Sequence, residues 1–285
     1  MLNGEFKESK KFCSESGSEQ TIKLYKDDPK PIALLLNIVH SRFDQVPNYI
    51  SIQDLYNISI LTDKYAMTHV LRPWARGWLR STQHLSTWPG LSLREQYCHE
   101  RLWILWELGD TVGFEKIASV LLLNSSASIG DANSLQCDGI LQPPDIYEIL
   151  EQTRLDTIEA LLTPLNDTIQ GLIQKDGKYC KYGMTEAWGR QCLALMLGAG
   201  IQSLYSIGLW PILQPADVQW SVSELSAKLK TIDLTGDKHD KHDKHACSQQ
   251  LALQREVDKV LESVPPLLTE VHKRHLDSQA NKSRV

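Results

Sequence analysis

The sequence predicts a mostly α-helical protein that carries one short strand near its N-terminus. Apolar residues recur every three or four positions between residues 146 and 162, which places them on one stripe of a helix. Ser221-Val222-Ser223-Glu224 has the capping-box pattern that marks a helix start. Residues 192–213 contain no charged side chain, which favours a buried segment. We therefore expect helices over most of the chain.

The N-terminal part combines the strand with two helices. Residues 21–26 alternate apolar and polar side chains after a β-branched start, a pattern typical of a half-buried strand. Asp27-Asp28-Pro29 ends this strand and supplies an N-cap for a largely buried helix over 32–39. Ser51-Ile52-Gln53-Asp54 resembles a capping box and predicts a helix through about Leu61.

Helices are predicted for most of the remainder. Pro143-Pro144-Asp145 opens the long amphipathic stretch, and we expect Pro164 to break or kink it because its ring removes a backbone hydrogen bond. A buried helix is expected from Glu186 to about Ser206, followed by a turn. The other predicted helices cover residues 93–108, 114–123, 225–232, 249–262 and 266–280, with a loop over 124–142.

Composition restricts the class of protein. Hydrophobic residues make up 42% and charged residues 23% of the 285 positions, as in an ordinary globular chain and unlike a disordered or collagen-like one. A formal net charge of −5 offers no basic footprint for nucleic acid, so we expect no nucleic-acid partner. The first residues lack the apolar run of a secretory signal, which favours a cytoplasmic or nuclear location.

The cysteines give no sign of a disulfide framework. All six are scattered along the chain and none forms a CxxC pair. Disulfide frameworks belong to short, cysteine-dense secreted chains. We therefore expect reduced thiols, no metal and no cofactor.

Residues 192–213 are also long enough to cross a bilayer, which needs about 20 apolar residues. Gln202, Ser203 and Ser206 lie in the middle of this run, where lipid would leave their polar groups without partners. Neither flank carries the cluster of Lys or Arg that sets orientation. We favour a buried helix and keep a membrane-associated protein as an alternative.

Short motifs follow one another in a specific order through the first eighty residues. They are residues 1–9 (MLNGEFKES), Ile22-Lys23-Leu24, Asp27-Asp28-Pro29, the helix over 34–40, Leu55-Tyr56, residues 61–65 (LTDKY) and residues 70–79 (VLRPWARGWL). In this order they resemble the second half of a BTB/POZ domain, most closely in the BTB proteins that are numerous in filamentous fungi. The helical C-terminal part of those proteins is similar to this chain at residues 106–110 (WELGD), 143–165 and 206–211 (SIGLWP).

The resemblance sets the expected fold class and domains. It implies a partial BTB/POZ domain (α+β, one clear strand) over residues 1–80, followed by an all-α C-terminal helical region. We expect that region to consist of a helical domain over 81–232, a charged linker over 233–248 and C-terminal helices over 249–285. In the family a hairpin, a helix and a further strand precede the segment that resembles residues 1–9. We favour a truncated sequence over a divergent chain that dropped this half-domain, because losing most of a core is rarely survivable.

The family consists of protein–protein interaction modules, of which many form homodimers and some recruit cullin-based ubiquitin ligases. In the cullin-recruiting members, a hydrophobic-x-Glu element follows the helix that corresponds to our N-terminus, and Phe6-Lys7-Glu8 fits it. A Phe anchor beside a carboxylate suits a small binding hot spot. The alternative is that Phe6 is a core residue and Glu8 a solvated charge. The resemblance implies a protein partner, a cullin scaffold among the candidates, and a homodimer if the BTB domain were complete.

A second cluster of polar residues is the repeat over 238–245 (KHDKHDKH), with Cys247 just beyond it. His239, His242 and His245 are weak candidates for zinc, nickel or copper ligands. A lysine precedes each histidine and would repel a cation, so we favour a solvated charged linker.

The tryptophans offer another alternative. Trp74 and Trp78 are four residues apart, and Trp103 and Trp106 are three apart, so each pair would share a helix face. We expect core packing for them and keep open a helical scaffold that binds a peptide on Trp-rich helices without a ubiquitin role. Since no GxSxG, HExxH or phosphate-loop motif occurs, we expect no enzyme.

Overall fold

The computed structural model describes residues 24, 27–83, 95–126, 139–174, 177–180, 187–236 and 247–285. Within these residues the chain forms ten α-helices and no strand, so the expectation of a mostly helical protein is confirmed. Apart from Leu24, the expected strand over 21–26 lies outside the described residues. The helices are α1 (Pro29–Val39), α2 (Ile52–Lys64), α3 (Ala75–Gln83), α4 (Glu95–Leu108), α5 (Thr111–Asn124), α6 (Ile146–Ile173), α7 (Ala187–Ser206), α8 (Val222–Lys230), α9 (Gln250–Glu262) and α10 (Glu270–Ser283).

The chain divides into two compact units, each made of segments that are distant in the sequence. Unit 1 contains Met1–Glu115, Gly139–Pro143 and Thr269–Val285, and unit 2 contains Lys116–Asp138 and Pro144–Leu268. The predicted domain limit at residue 80 lies inside unit 1, and those at 232 and 248 lie inside unit 2. A division into consecutive segments does not anticipate the return of α10 to the N-terminal unit.

The core of unit 1 lies between α2 and α4, and α10 also packs against α4. Leu55 and Ile58 of α2 and Leu102 and Leu108 of α4 are fully buried. Burying each such side chain contributes about 1.5–3 kcal/mol. The start of α2 follows the sequence prediction, because Ser51 Oγ accepts a hydrogen bond from the backbone N–H of Asp54 at 3.0 Å.

Of the paired tryptophans of unit 1, three are buried and Trp74 is half-buried. Trp78 is fully buried and donates from Nε1 to the carbonyl of Pro47 at 2.9 Å. Trp74 stacks on it with ring centroids 6.2 Å apart. Trp103 and Trp106 on α4 are also buried. The core-packing interpretation is confirmed for Trp78, Trp103 and Trp106.

In unit 2, helix α6 runs past Pro164 to Ile173 as one helix, so of the two expected effects of this proline, a break or a kink, the break is wrong. An interior proline costs about 3 kcal/mol through one lost hydrogen bond and a steric clash. Buried residues on both sides of it outweigh that cost: Leu161 and Leu162 before the proline, and Leu165 and Ile169 after it, share one core.

Helix α7 has the bounds that the sequence predicts, and Gly208 (φ 77°) lies in the turn that follows it. Leu193, Met196 and Leu204 of α7 enter the core of unit 2. Within the part of the chain that the structure describes, no helix combines the length and apolar character needed to cross a membrane.

Two helices that follow α7 in the sequence, α8 and α9, pack on α6. α8 begins with the predicted capping box: Ser221 Oγ accepts from the N–H of Glu224 at 3.1 Å, and the Glu224 carboxylate accepts from the N–H of Ser221 at 2.9 Å. α9 packs against α6 and α8. The buried Arg154 of α6 donates to the carbonyls of Val218 and Trp220, at 3.1 and 3.0 Å, and fixes the segment that leads into α8.

Candidate functional site

The residues that the sequence singles out for binding lie in segments outside the described residues. Phe6 and Glu8 lie outside the described residues, and so do His239, His242 and His245. The cullin-contact hypothesis and the weak metal candidates therefore stay predictions. The described residues contain three other features with functional potential: an exposed apolar surface, a buried polar cluster and a group of three thiols.

The exposed apolar surface belongs to unit 1, and we call it the α1 face: Leu36, Val39, Phe43 and Tyr49. Leu36 and Val39 are three residues apart on α1 and about half exposed, while Phe43 is 56% and Tyr49 80% exposed. A short 3-10 helix, Phe43–Gln45, packs against α1 and carries the phenyl ring, which lies 5.6 Å from the ring of Trp74. Exposed large apolar groups such as Leu36 and Val39, three residues apart on one helix, mark an interaction site where they form one patch.

A cavity of about 410 Å³ adjoins the α1 face and shares Tyr49 with it. Its wall is mainly apolar, and an ion pair between Lys30 Nζ and Asp54 Oδ1, 2.6 Å apart, lies at its edge. Hydrogen bonds from Lys30 and from Ser51 lower the pKa of Asp54, and the bond to Asp54 raises the pKa of Lys30. Both groups thus keep their charge across the physiological range. The other residues that line the cavity are Pro31, Ala33, Leu34, Asn37, Gln45, Pro47, Ile50, Ser51 and Ile58.

The buried polar cluster centres on Glu107, which has no exposed surface. Its Oε1 accepts hydrogen bonds from Thr62 Oγ1 at 3.0 Å and Thr68 Oγ1 at 2.5 Å, and its Oε2 accepts from Gln279 Nε2 at 2.7 Å. Burial raises the pKa of Glu107 to about 7, and the two threonine hydroxyls oppose that rise. A catalytic acid or base must reach its substrate. Because Glu107 is closed off from solvent, its role is structural: its hydrogen bonds connect the elements that carry Thr62, Thr68 and Gln279.

A second buried titratable group on the same helix is His99. Burial alone lowers its pKa to about 4, so the imidazole is neutral at physiological pH. His275 of α10 stacks on Trp106 with ring centroids 3.9 Å apart, and burial lowers its pKa as well. The imidazole of His275 thus packs as an aromatic ring rather than as a charge.

The third feature lies in unit 2, where the sulfurs of Cys180, Cys192 and Cys247 are all within 4.8 Å of one another. Cys180 and Cys192 are buried, and Cys247 is half-buried. Sequence reasoning missed this group because the three residues are far apart in the chain and lie in no CxxC pattern. The metal ligands that the sequence suggests are instead the histidines of the repeat next to Cys247.

Comparison of the chain with protein-family models, curated proteins and solved structures finds no match.

Proposed function

We propose that this chain is a non-enzymatic protein–protein interaction protein related to the BTB proteins, and that it acts as a substrate adaptor for a cullin-based ubiquitin ligase. The α1 face is the observation that carries the interaction part of this proposal. It exposes two aliphatic and two aromatic side chains next to an apolar cavity with a charged edge. An apolar centre with a polar rim is the usual composition of a protein interface.

The free energy gained by burying the side chains of this face favours a protein as its binding partner. Burial of apolar surface contributes about 25 cal/mol per Å², and an aromatic side chain offers about 150–250 Å². Phe43 and Tyr49 together could then contribute several kcal/mol to association, as hot-spot aromatic residues do. Both residues lie in the short segment between α1 and α2.

The BTB part of the proposal rests on the resemblance of residues 1–80. Two of its motifs, residues 34–40 and 61–65, coincide with the end of α1 and the end of α2. The Phe6-Lys7-Glu8 element would supply the contact that is specific to a cullin. The non-enzymatic part is supported by the titratable groups with strongly shifted pKa, Glu107 and His99, since both are buried away from any substrate.

The peptide-binding alternative gains nothing from the structure of unit 1. Trp78, Trp103 and Trp106 are buried and have little surface to offer a peptide. We therefore place the interaction on the α1 face and the N-terminal Phe6-Lys7-Glu8 element.

The test uses the full chain and the purified N-terminal region of a cullin, with binding followed by biolayer interferometry. We expect saturable binding that is lost in a Phe6→Ala, Glu8→Ala double variant and weakened about tenfold or more in a Phe43→Ser, Tyr49→Ser double variant. The matched control is Val112→Ser with Val271→Ser, which removes two exposed apolar side chains of unit 1 outside the α1 face. Absence of binding by the unchanged chain to each member of a cullin panel would overturn the adaptor role. Equal binding by the α1-face variant and the control would remove the α1 face from the contact.

A further inference from the structure

We propose that Cys180, Cys192 and Cys247 form a binding site for a thiophilic metal cation, with Zn²⁺ as the expected ion. This site is independent of the proposed interaction function, because it lies in unit 2 and uses none of the residues assigned to the cullin contact. The proposal rests on the convergence of three sulfurs and on the contacts that hold them together.

The spacing of the sulfurs is close to that of a zinc–thiolate site. Tetrahedral zinc with Zn–S bonds of about 2.3 Å places its sulfurs about 3.8 Å apart. The three sulfurs of this chain lie within 4.8 Å of one another. A movement of about 1 Å or less per sulfur would therefore close the group around an ion, which a change of side-chain rotamer can supply.

Backbone pairing brings Cys247 to the other two cysteines. The N–H of Gly236 donates to the carbonyl of Cys247 at 2.7 Å, and the N–H of Gln249 donates to the carbonyl of Leu234 at 3.1 Å. A bridge between Thr235 and Ser248 lies between these two bonds. The two segments thus form a short antiparallel pair that holds Cys247 in place.

A side-chain bond connects the same pair to Cys180. Gln249 Nε2 donates to the carbonyl of Tyr179 at 3.2 Å, and Tyr179 directly precedes Cys180. The ring of Tyr179 rests on Gly171 of α6, where an added Cβ would lie only 2.2 Å from the ring. Cys180 is therefore positioned by two elements, α6 and the antiparallel pair.

Gly236 allows the pair to approach Cys192. A Cβ at Gly236 would lie 2.5 Å from Cys192 Sγ, which is shorter than any real contact of this kind. The backbone of the pair therefore lies directly against the sulfur, and a larger residue would require the sulfur or the pair to move.

Three converging thiols favour a metal over the two other uses of clustered cysteines. A disulfide joins two sulfurs and leaves the third without a role. Buried cysteines also occur as simple apolar packing, but packing does not require three sulfurs to point at one place. Thiolates are soft ligands that select Zn²⁺ or Cu⁺ over hard cations.

The surroundings suit a site that loads from solvent. Cys192 and Cys180 form a buried floor, while half-buried Cys247 leaves one side open for entry of the ion and for a fourth ligand such as water. Loading would convert three thiols and Zn²⁺ into a zinc tris-thiolate with one net negative charge and release three protons to solvent. The bound ion would join α7 to the antiparallel pair and so stabilise unit 2.

The experiment titrates the reduced, chelator-treated full chain with Co²⁺ and follows the thiolate-to-cobalt charge-transfer absorption, then displaces Co²⁺ with Zn²⁺. We expect one equivalent to bind, and Cys192→Ser or Cys247→Ser to weaken binding about 100-fold or more. Cys98→Ser is the matched control, because it removes a buried cysteine of unit 1 and should leave the titration unchanged. Displacement by Cu⁺ but not by Zn²⁺ would overturn the choice of ion.

A second variant separates the thiols from the histidine repeat. Replacement of His239, His242 and His245 by Ala should leave the charge-transfer absorption in place. Loss of binding in that variant, with binding retained in Cys192→Ser, would overturn the thiol site.

A measurement on the unchanged chain covers the case in which a cysteine variant fails to fold. Alkylation with and without Zn²⁺, read by peptide mass spectrometry, should show protection of Cys180, Cys192 and Cys247 and no Zn²⁺-dependent change at Cys98. If Zn²⁺ left the alkylation of Cys180, Cys192 and Cys247 as unchanged as that of Cys98, the proposal would be contradicted.

Discussion

Gln279 of α10 donates a hydrogen bond from its side-chain Nε2 to Oε2 of Glu107 on α4, at 2.7 Å and across 172 residues of sequence. The other oxygen of Glu107 accepts from Thr62 on α2 and from Thr68 in the 3-10 helix Thr68–Leu71. One carboxyl group thus joins four segments of unit 1. Because burial raises the pKa of Glu107 to about 7, the protonation state of this carboxyl group changes near neutral pH.

The first prediction concerns the stability of unit 1 between pH 5 and pH 8. Since the pKa of Glu107 rises from 4.5 to about 7 on folding, the folded protein holds a proton that the unfolded chain releases in that window. The contribution of this proton to the free energy of unfolding is complete below pH 4.5. It is lost as the pH rises through 7, and the loss is on the order of 3 kcal/mol. His99, with its pKa lowered to about 4, acts in the opposite direction below pH 6.5. Urea unfolding at several pH values measures the sum of both.

The Glu107→Gln variant isolates the carboxyl group. We expect it to match the unchanged protein near pH 5 and to exceed its stability at pH 8 by about 1–3 kcal/mol, since no buried charge forms. Gln279 can turn its amide to accept from the new side chain, because its Oε1 accepts no hydrogen bond in the described structure. A difference between the two proteins that does not change with pH would contradict the raised pKa.

The second prediction concerns Gly109, which follows α4. It has a φ of 80°, and an added Cβ would lie 2.1 Å from the backbone N of Ala280 and 2.5 Å from the carbonyl oxygen of Leu276. Alanine at position 109 would have to adopt a left-handed conformation, and its Cβ would clash with backbone atoms of α10, which cannot change rotamer as a side chain can. We therefore expect Gly109→Ala to lower the free energy of unfolding by about 3 kcal/mol or more. The measurement is the midpoint of chemical denaturation.

Gly77→Ala is the matched control in the same unit. Gly77 lies within α3, and an added Cβ would meet nothing within 4 Å. Alanine should therefore raise helix stability by up to about 1 kcal/mol. If Gly109→Ala were as stable as this control, the close approach of α10 to Gly109 would be wrong.

Local signals in the sequence predicted the helices well, while contacts between distant residues remained hidden. Ser51 and Ser221 marked helix starts because a cap depends only on residues three positions apart. The break predicted at Pro164 does not occur, because the burial that compensates the cost of this proline is a tertiary effect. The hydrogen bonds of Glu107 and the convergence of the three cysteines join residues that are far apart in the sequence. They depend on chain topology, which the spacing of residues in the sequence does not indicate.

The third prediction tests the cap of α8. Ser221→Ala removes the hydroxyl that accepts from the N–H of Glu224, so unit 2 should lose about 1 kcal/mol. Ser223→Ala, in the first turn of the same helix, should change stability by less than about 0.5 kcal/mol. Equal losses in the two variants, measured by urea unfolding, would show that the capping bond is not the source of the effect.

The last prediction tests whether Gly236 positions the thiol site. Gly236→Ala places a methyl group against Cys192 Sγ and 3.0 Å from the carbonyl oxygen of Cys192, so the sulfur or the antiparallel pair must move. We expect the affinity for Co²⁺ and Zn²⁺ to fall about tenfold or more, although all three cysteines are kept. Gly198→Ala is the control on the helix that carries Cys192, because an added Cβ there meets nothing within 4 Å. It should leave metal affinity unchanged and raise helix stability by up to about 1 kcal/mol. Unchanged metal binding in Gly236→Ala would show that the pair does not hold Cys247 against Cys192.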